Sequence, residues 1–179
     1  MEGYTKCQKR KPIDYNVVKI ATHEEYKEGK YQNNIATIVV DKPINLLKKT
    51  YSNAACLPAC GSMFEHEYSN GTGVRCWMSG WEETPDGFVQ HKIDIPIYEQ
   101  SKCNQKYPIE LSPGNICANG EIGKDTTKFT GGAPLVCQSK TGHWHVVGLL
   151  HFGKNPNPEA FVNIHHHLEF ITDPLHREN

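Results

Sequence analysis

No run of apolar residues in this sequence is long enough to cross a bilayer, so insertion by a hydrophobic helix is not expected. Neither sign of charge dominates either. The 19 Lys and Arg nearly balance the 20 Asp and Glu, leaving −1 with neutral histidines, and the two signs are interspersed along the chain. Such a chain has no field that would gather nucleic acid or an anionic membrane surface, so neither is expected as a partner. The opening residues, Met1 to Arg10, lack the apolar core of a signal peptide, which leaves either a longer precursor or an unusual route of export. Internal repeats and low-complexity linkers are missing, and helical periodicity is scarce.

Cysteine is plentiful: there are seven in 179 residues. Cys56 and Cys60 are close together, but no second pair follows at finger-like spacing, so a zinc module is not expected. Disulfides formed in an oxidising compartment account for this number better, and an extracellular location is expected. The sequon Asn70-Gly71-Thr72 lies in a polar, glycine-rich stretch and fits that compartment as a glycosylation site.

The rest of the pattern is short strands between turn clusters, which predicts an all-β sandwich or barrel. Strands are expected over Tyr15–Ala21, Asn34–Val40, Arg75–Trp81, Phe88–Tyr98, Gly114–Ala118, Ala133–Cys137, His143–Phe152 and Ala160–Ile164. Several are continuous apolar runs, as in strands covered on both faces, and His145–Leu150 is the clearest. Trp77, Trp81 and Trp144 fit buried or half-buried strand positions. Turns are marked by Ser69–Gly73, Thr84–Gly87, Ser112–Gly114 and Lys154–Pro158. Short helices are expected at Glu99–Gln105 and at His166–Thr172, the latter stopped by Pro174. His165, His166 and His167, with His143, His145 and His151, invite a metal reading. Adjacent histidines point in different directions and no H-E-x-x-H spacing follows, so solvent-exposed or capping roles are expected, with no metal and no cofactor.

The order of motifs along the chain resembles the trypsin-like serine proteases. Asn34-Ile35-Ala36-Thr37 is similar to their D-I-A-L strand and Ala55-Cys56-Leu57-Pro58 to A-C-L-P. Cys76-Trp77-Met78-Ser79-Gly80-Trp81 matches C-W-V-S-G-W, and Ile95-Pro96-Ile97 with Cys103 matches V-P-I…C. Asn115-Ile116-Cys117-Ala118 falls on N-x-C-A, and Thr130-Gly131-Gly132-Ala133-Pro134-Leu135-Val136-Cys137 on the nucleophile segment D-S-G-G-P-L-V-C. Val147-Gly148-Leu149-Leu150-His151-Phe152-Gly153 falls on V-G-I-V-S-W-G. The flavour is that of the arthropod serine protease homologues, including clip-domain cofactors of prophenoloxidase activation, although no clip domain is present in this chain.

The resemblance implies a chymotrypsin-like double β-barrel with a truncated first barrel and a short C-terminal α-helix. The expected division is a partial first barrel over 1–60, a connection over 61–74, and a second barrel with the helix over 75–179. The second barrel, roughly Arg75 to Ile171, is expected to be intact and the first half partial and less ordered, because an incomplete barrel leaves strand edges open.

Acyl transfer in this family needs a serine, a histidine and an orienting aspartate. The resemblance puts Gly131 at the serine position and Asn34 at the aspartate position, and no A-A-H-C segment precedes Asn34; His23 is too close and in the wrong context. Thr130 replaces the aspartate that pairs with a newly freed N-terminus, and the R-I/V-V-G-G cleavage region is absent. Phe129 stands where a glycine amide serves the oxyanion hole with the amide at Gly131, and its β-carbon disfavours the positive φ that glycine allows. In the vestigial specificity pocket the resemblance places Asp125, Glu159, His151, Phe152 and Gly153. Glu159 at a glycine position is expected to fill the pocket beside Asp125. The alternatives are an anionic slot for a basic side chain, or a displaced loop with Glu159 in solvent.

The same resemblance implies disulfides Cys76–Cys137 and Cys103–Cys117, and loss of the bridge to the nucleophile loop, where Thr127 replaces cysteine. Cys56 is left to pair with Cys7 or Cys60, or to stay free. The function so implied is that of a pseudoprotease: an inactive extracellular binding or regulatory protein, acting on a protease, proenzyme or other cascade component in innate immunity, melanisation, clotting or venom. Residual hydrolysis by another nucleophile and a truncated product without function are the alternatives.

Overall fold

The computed structural model describes residues 13–46, 53–58, 76–85, 87–107, 111–118, 130–139, 141–152 and 158–173. Among these residues the strands form two antiparallel sheets. β1 (Val17–Thr22) pairs with β2 (Ala36–Val40) as a two-stranded hairpin. The larger sheet contains β3 (Cys76–Thr84), β4 (Gly87–Asp94), β5 (Ile97–Tyr98), β6 (Asn115–Ala118), β7 (Pro134–Gln138), β8 (Trp144–Phe152) and β9 (Glu159–Asn163), in the order β4-β3-β7-β8-β9-β6-β5. Two short helices lie among the described residues: α1 (Gln100–Asn104) and α2 (Leu168–Thr172).

The strand order itself dictates curvature. β4 and β5 lie at opposite edges of the sheet yet are separated in the chain only by Ile95 and Pro96. Two neighbouring segments can pair with β3 and with β6 at the two ends only if the sheet curls round on itself, as in a barrel. The continuous strand expected over Phe88–Tyr98 is therefore split. Pro96 has no N–H to give to a ladder, and the break there lets the chain pass from one edge to the other.

Inside the curl lies one apolar cluster of Cys76, Met78, Ile95, Ala118, Ala133, Leu135, Cys137, Val147, Leu150 and Phe161. A second cluster on the outer face joins Val162, Ile164 and Leu168 to Ile35, which follows directly on the β1–β2 connection. A third groups Cys103, Leu111, Cys117 and Ala160. Ala160, Phe161 and Val162 each belong to a different cluster, so β9 is covered on both faces and its sequence is apolar without alternation. Cys76–Cys137 bridges directly opposed residues of β3 and β7, and Cys103–Cys117 ties α1 to β6; these are the pairings the motif order implies. Cys56 is an exposed free thiol, while Cys7, Cys60 and Asn70 lie outside the described residues.

Two tryptophans depart from expectation: Trp81 is 60% exposed and Trp144 40% exposed. β7 covers β3 only over Cys76–Met78, so Trp81 lies beyond the shelter of that neighbour, and Trp144 sits at the open start of β8. The C-terminal helix is also shorter than expected, because 164–167 form turns before Leu168.

Gly148 marks the tightest contact in the barrel wall. A β-carbon there would stand 2.9 Å from the Phe161 β-carbon and 3.3 Å from Ile116 Cδ1. The Phe161 β-carbon is fixed to the backbone of β9 and cannot swing aside. Gly148→Ala is expected to destabilise the fold by about 1–3 kcal/mol through overpacking, seen as a lower urea midpoint at unchanged slope.

Candidate functional site

The turn before β7 and the end of β8 meet at the open rim of the barrel. The Gly132 amide donates to the Leu150 carbonyl at 2.7 Å, the Leu150 amide donates to the Ala133 carbonyl at 2.8 Å, and the Ala133 amide donates to the Thr130 carbonyl at 3.2 Å. Gly132 has φ of 88°, a left-handed conformation that glycine adopts without steric cost. Gly131 is different. Its φ is not positive, and an added β-carbon would meet only the Leu150 carbonyl, at an ordinary 3.8 Å. The backbone does not require glycine at 131.

Asn34 reaches the same rim from the segment before β2. Its side-chain amide is hydrogen-bonded to His151 Nδ1, one residue beyond Leu150. The tertiary fold thus brings Asn34, Gly131 and His151 to one place, although 117 residues separate Asn34 from His151. His151 itself is half-buried, and that burial pushes its pKa below the usual histidine value. Where the matching motif has serine, this chain has an imidazole facing an amide.

Around His151 an aromatic group extends the rim. Tyr31 packs edge-on to His151 at 5.6 Å and against Phe152 at 4.7 Å, and Tyr107 packs edge-on to Phe152 at 5.1 Å. The Tyr107 hydroxyl donates to the Pro158 carbonyl, and its pKa is pushed up to about 12, first by burial and then by the charge of Glu159. Glu159 is only 3% exposed at the start of β9. The alternative with Glu159 in solvent is therefore not realised. Asp125, Phe129 and Gly153 lie outside the described residues.

His23, the one described histidine upstream of Asn34, sits elsewhere, against His167 at 5.4 Å and Phe170 at 4.9 Å. Of the two roles expected, solvent-exposed or capping, His167 takes the capping position before α2 and is not exposed: it is 3% exposed, with Nδ1 against the Asn163 carbonyl at 2.8 Å. The turn at 164–167 folds that ring inward against the hairpin. No group of three potential metal ligands is gathered among the described residues. Tyr31, Asn33, Tyr107 and His167 were not singled out from the sequence for this rim and its flank. Only the closeness of Tyr31 and Asn33 to Asn34 could have hinted at them.

A family model described as Trypsin matches residues 3–171. The chain belongs to the trypsin family. Among curated trypsin-family proteins, it is 29% identical to inactive CLIP domain-containing serine protease A3 of Aedes aegypti, over 91% of this chain and 36% of that one. It is 27% identical to CLIP domain-containing serine protease B4 of Anopheles gambiae, over 92% of this chain and 48% of that one. The proclotting enzyme of Tachypleus tridentatus is 25% identical, over 92% of this chain and 45% of its own length. The chain spans less than half the length of each of these relatives. Both relatives named inactive and relatives named as enzymes thus align with most of this chain, and family membership alone does not decide between them. Among the described residues no helix is long and apolar enough to cross a membrane.

Proposed function

We propose that this chain is a catalytically inactive member of the trypsin family that acts outside the cell by binding a protein component of a proteolytic cascade. The observation that carries the reading is Gly131: the position matched to the nucleophile has no side-chain oxygen, and its surroundings have room for one. The nearest acid position offers no carboxylate. Asn34 is neutral and hydrogen-bonded to His151, so it cannot stabilise an imidazolium as the family's aspartate does. Buried Glu159 supports a filled specificity pocket, so a substrate side chain would meet a carboxylate where the family has space. The two disulfides support an oxidising compartment, and the inactive relatives support a regulatory role.

Because 131 tolerates a side chain, Gly131→Ser is expected to fold like the parent. It is also expected to show no turnover of Arg- or Lys-containing peptides and no labelling by a fluorophosphonate, since Asn34 offers no carboxylate to orient a base. Either activity in the parent chain would sink the pseudoprotease reading; activity in the serine variant alone would show that a working base lies nearby. Addition of the purified chain to a reconstituted arthropod cascade is expected to change the rate at which the terminal protease appears, with no cleavage by the chain itself.

A further inference from the structure

Residues 31–35 tie the hairpin to the barrel, beside the packing of His23 on His167 and Phe170, and two of their partners are imidazoles. Tyr31 packs on His151 and Phe152, and its carbonyl accepts from Asn115 Nδ2 at 3.3 Å. Asn33, in a left-handed conformation with φ of 55°, sets its amide 3.2 Å from His167 Nε2. Asn34 binds His151, and Ile35 enters the buried cluster of Val162, Ile164 and Leu168. Two consecutive asparagines therefore each hold a histidine from a different part of the second barrel.

We propose that residues 31–35 form an acid-released joint, in which protonation of His151 and His167 undocks the β1–β2 hairpin from the barrel. As placed, Asn34 presents an N–H to His151 Nδ1, which only a neutral ring can accept. His167 is more crowded. His23 faces it from the end of β1 and His166 lies 5.0 Å away on its own turn, so a charge on His167 meets two further imidazoles. Glu24, Glu169 and Asp173 line the same cleft from the hairpin side and from α2, and Glu25 accepts from Asn33 Nδ2 at 3.2 Å. Those carboxylates stand at the wet side of the cleft, where solvent screens them. Asn33 is placed with its oxygen towards His167, which suits a charged ring; reversing that amide suits a neutral one and gives up the contact with Glu25. Burial outweighs this for His167, whose pKa is held below the ordinary value by desolvation first, with the Asn163 carbonyl opposing and His166 and His23 adding to the fall. His151, facing Asn34, Tyr31 and Phe152, is lowered by burial alone.

A histidine kept neutral by docking titrates below its unfolded value of about 6.5. The joint is at full strength above that pH and weakens as pH falls through it, because the undocked form binds more protons. Undocking also uncovers Ile35, Val162 and Leu168.

The test is amide hydrogen exchange on the full chain, corrected for intrinsic rates, between about pH 7.5 and about pH 5.5. Protection over 33–40 is expected to fall about tenfold or more, because both histidines take up protons on undocking, while β7 and β8 keep theirs. The paired substitutions His151→Gln and His167→Gln keep a hydrogen-bonding side chain but remove the titration, and should flatten the response; His143→Gln, on an exposed turn, should not. Equal pH dependence in the doubly substituted chain, or none in the parent, overturns the joint. Should the double variant fail to fold, proton NMR of the parent decides: imidazole midpoints for His151 and His167 below 6.5, coincident with the loss of Ile35 protection, support it, and midpoints at or above that value overturn it.

Discussion

Replacing Cys76 and Cys137 together by alanine is expected to lower stability by about 4 kcal/mol, against about 3 kcal/mol for Cys103 with Cys117. The difference comes from loop length. The first bridge spans a sequence separation of 61 and the second only 14, so the first removes more freedom from the unfolded chain. A loss near 4 kcal/mol is a large share of the roughly 5–15 kcal/mol that holds a typical domain together. Urea unfolding of the two paired variants measures both numbers, and a reversed ranking would count against the loop-entropy account. Reducing agent should reproduce the combined loss in the parent chain. Since both cysteines of the longer bridge are fully buried at the β3–β7 junction, reduction should require partial opening and be slow. A chain so dependent on its bridges suits an oxidising compartment, which agrees with the extracellular role proposed above.

Phe161→Ala is expected to cost about 3–5 kcal/mol. The ring is 0% exposed, lies in the central cluster with Met78, Leu135 and Leu150, and supports the wall at Gly148. β9 is paired with β6 on one side and β8 on the other, so the barrel has little freedom to collapse into the space left behind. The loss should appear in the denaturant midpoint, and near-ultraviolet dichroism should weaken as the aromatic packing loosens. A cost below about 1 kcal/mol would mean that the site collapses far more readily than buried aromatic positions do.

Much of the architecture was legible in the residues. The apolar run in β8 announced a strand covered on both faces, and of the cysteines matched to the family's motifs Cys76, Cys103, Cys117 and Cys137 pair while Cys56 is free. The strand around Pro96 was misjudged, because a run of apolar residues does not reveal that its two halves pair with opposite ends of a sheet. Trp81 and Trp144 were misjudged for a related reason: strand membership says nothing about where the neighbouring strands stop. At the rim, Gly131 and Asn34 could be marked by their motifs, yet nothing local linked Asn34 to His151 or Asn33 to His167. Those contacts join residues more than a hundred positions apart.

By itself, then, the sequence determined family, strand content and the absence of a hydroxyl at 131, because each is written in residue type and short spacing, while the disulfide partners followed from the family resemblance. Only the tertiary structure decided that Gly131 has room for a side chain, that Glu159 is buried, and that consecutive asparagines each hold an imidazole. Burial and long-range contact are set by how distant strands close around one core, and no local pattern encodes that closure.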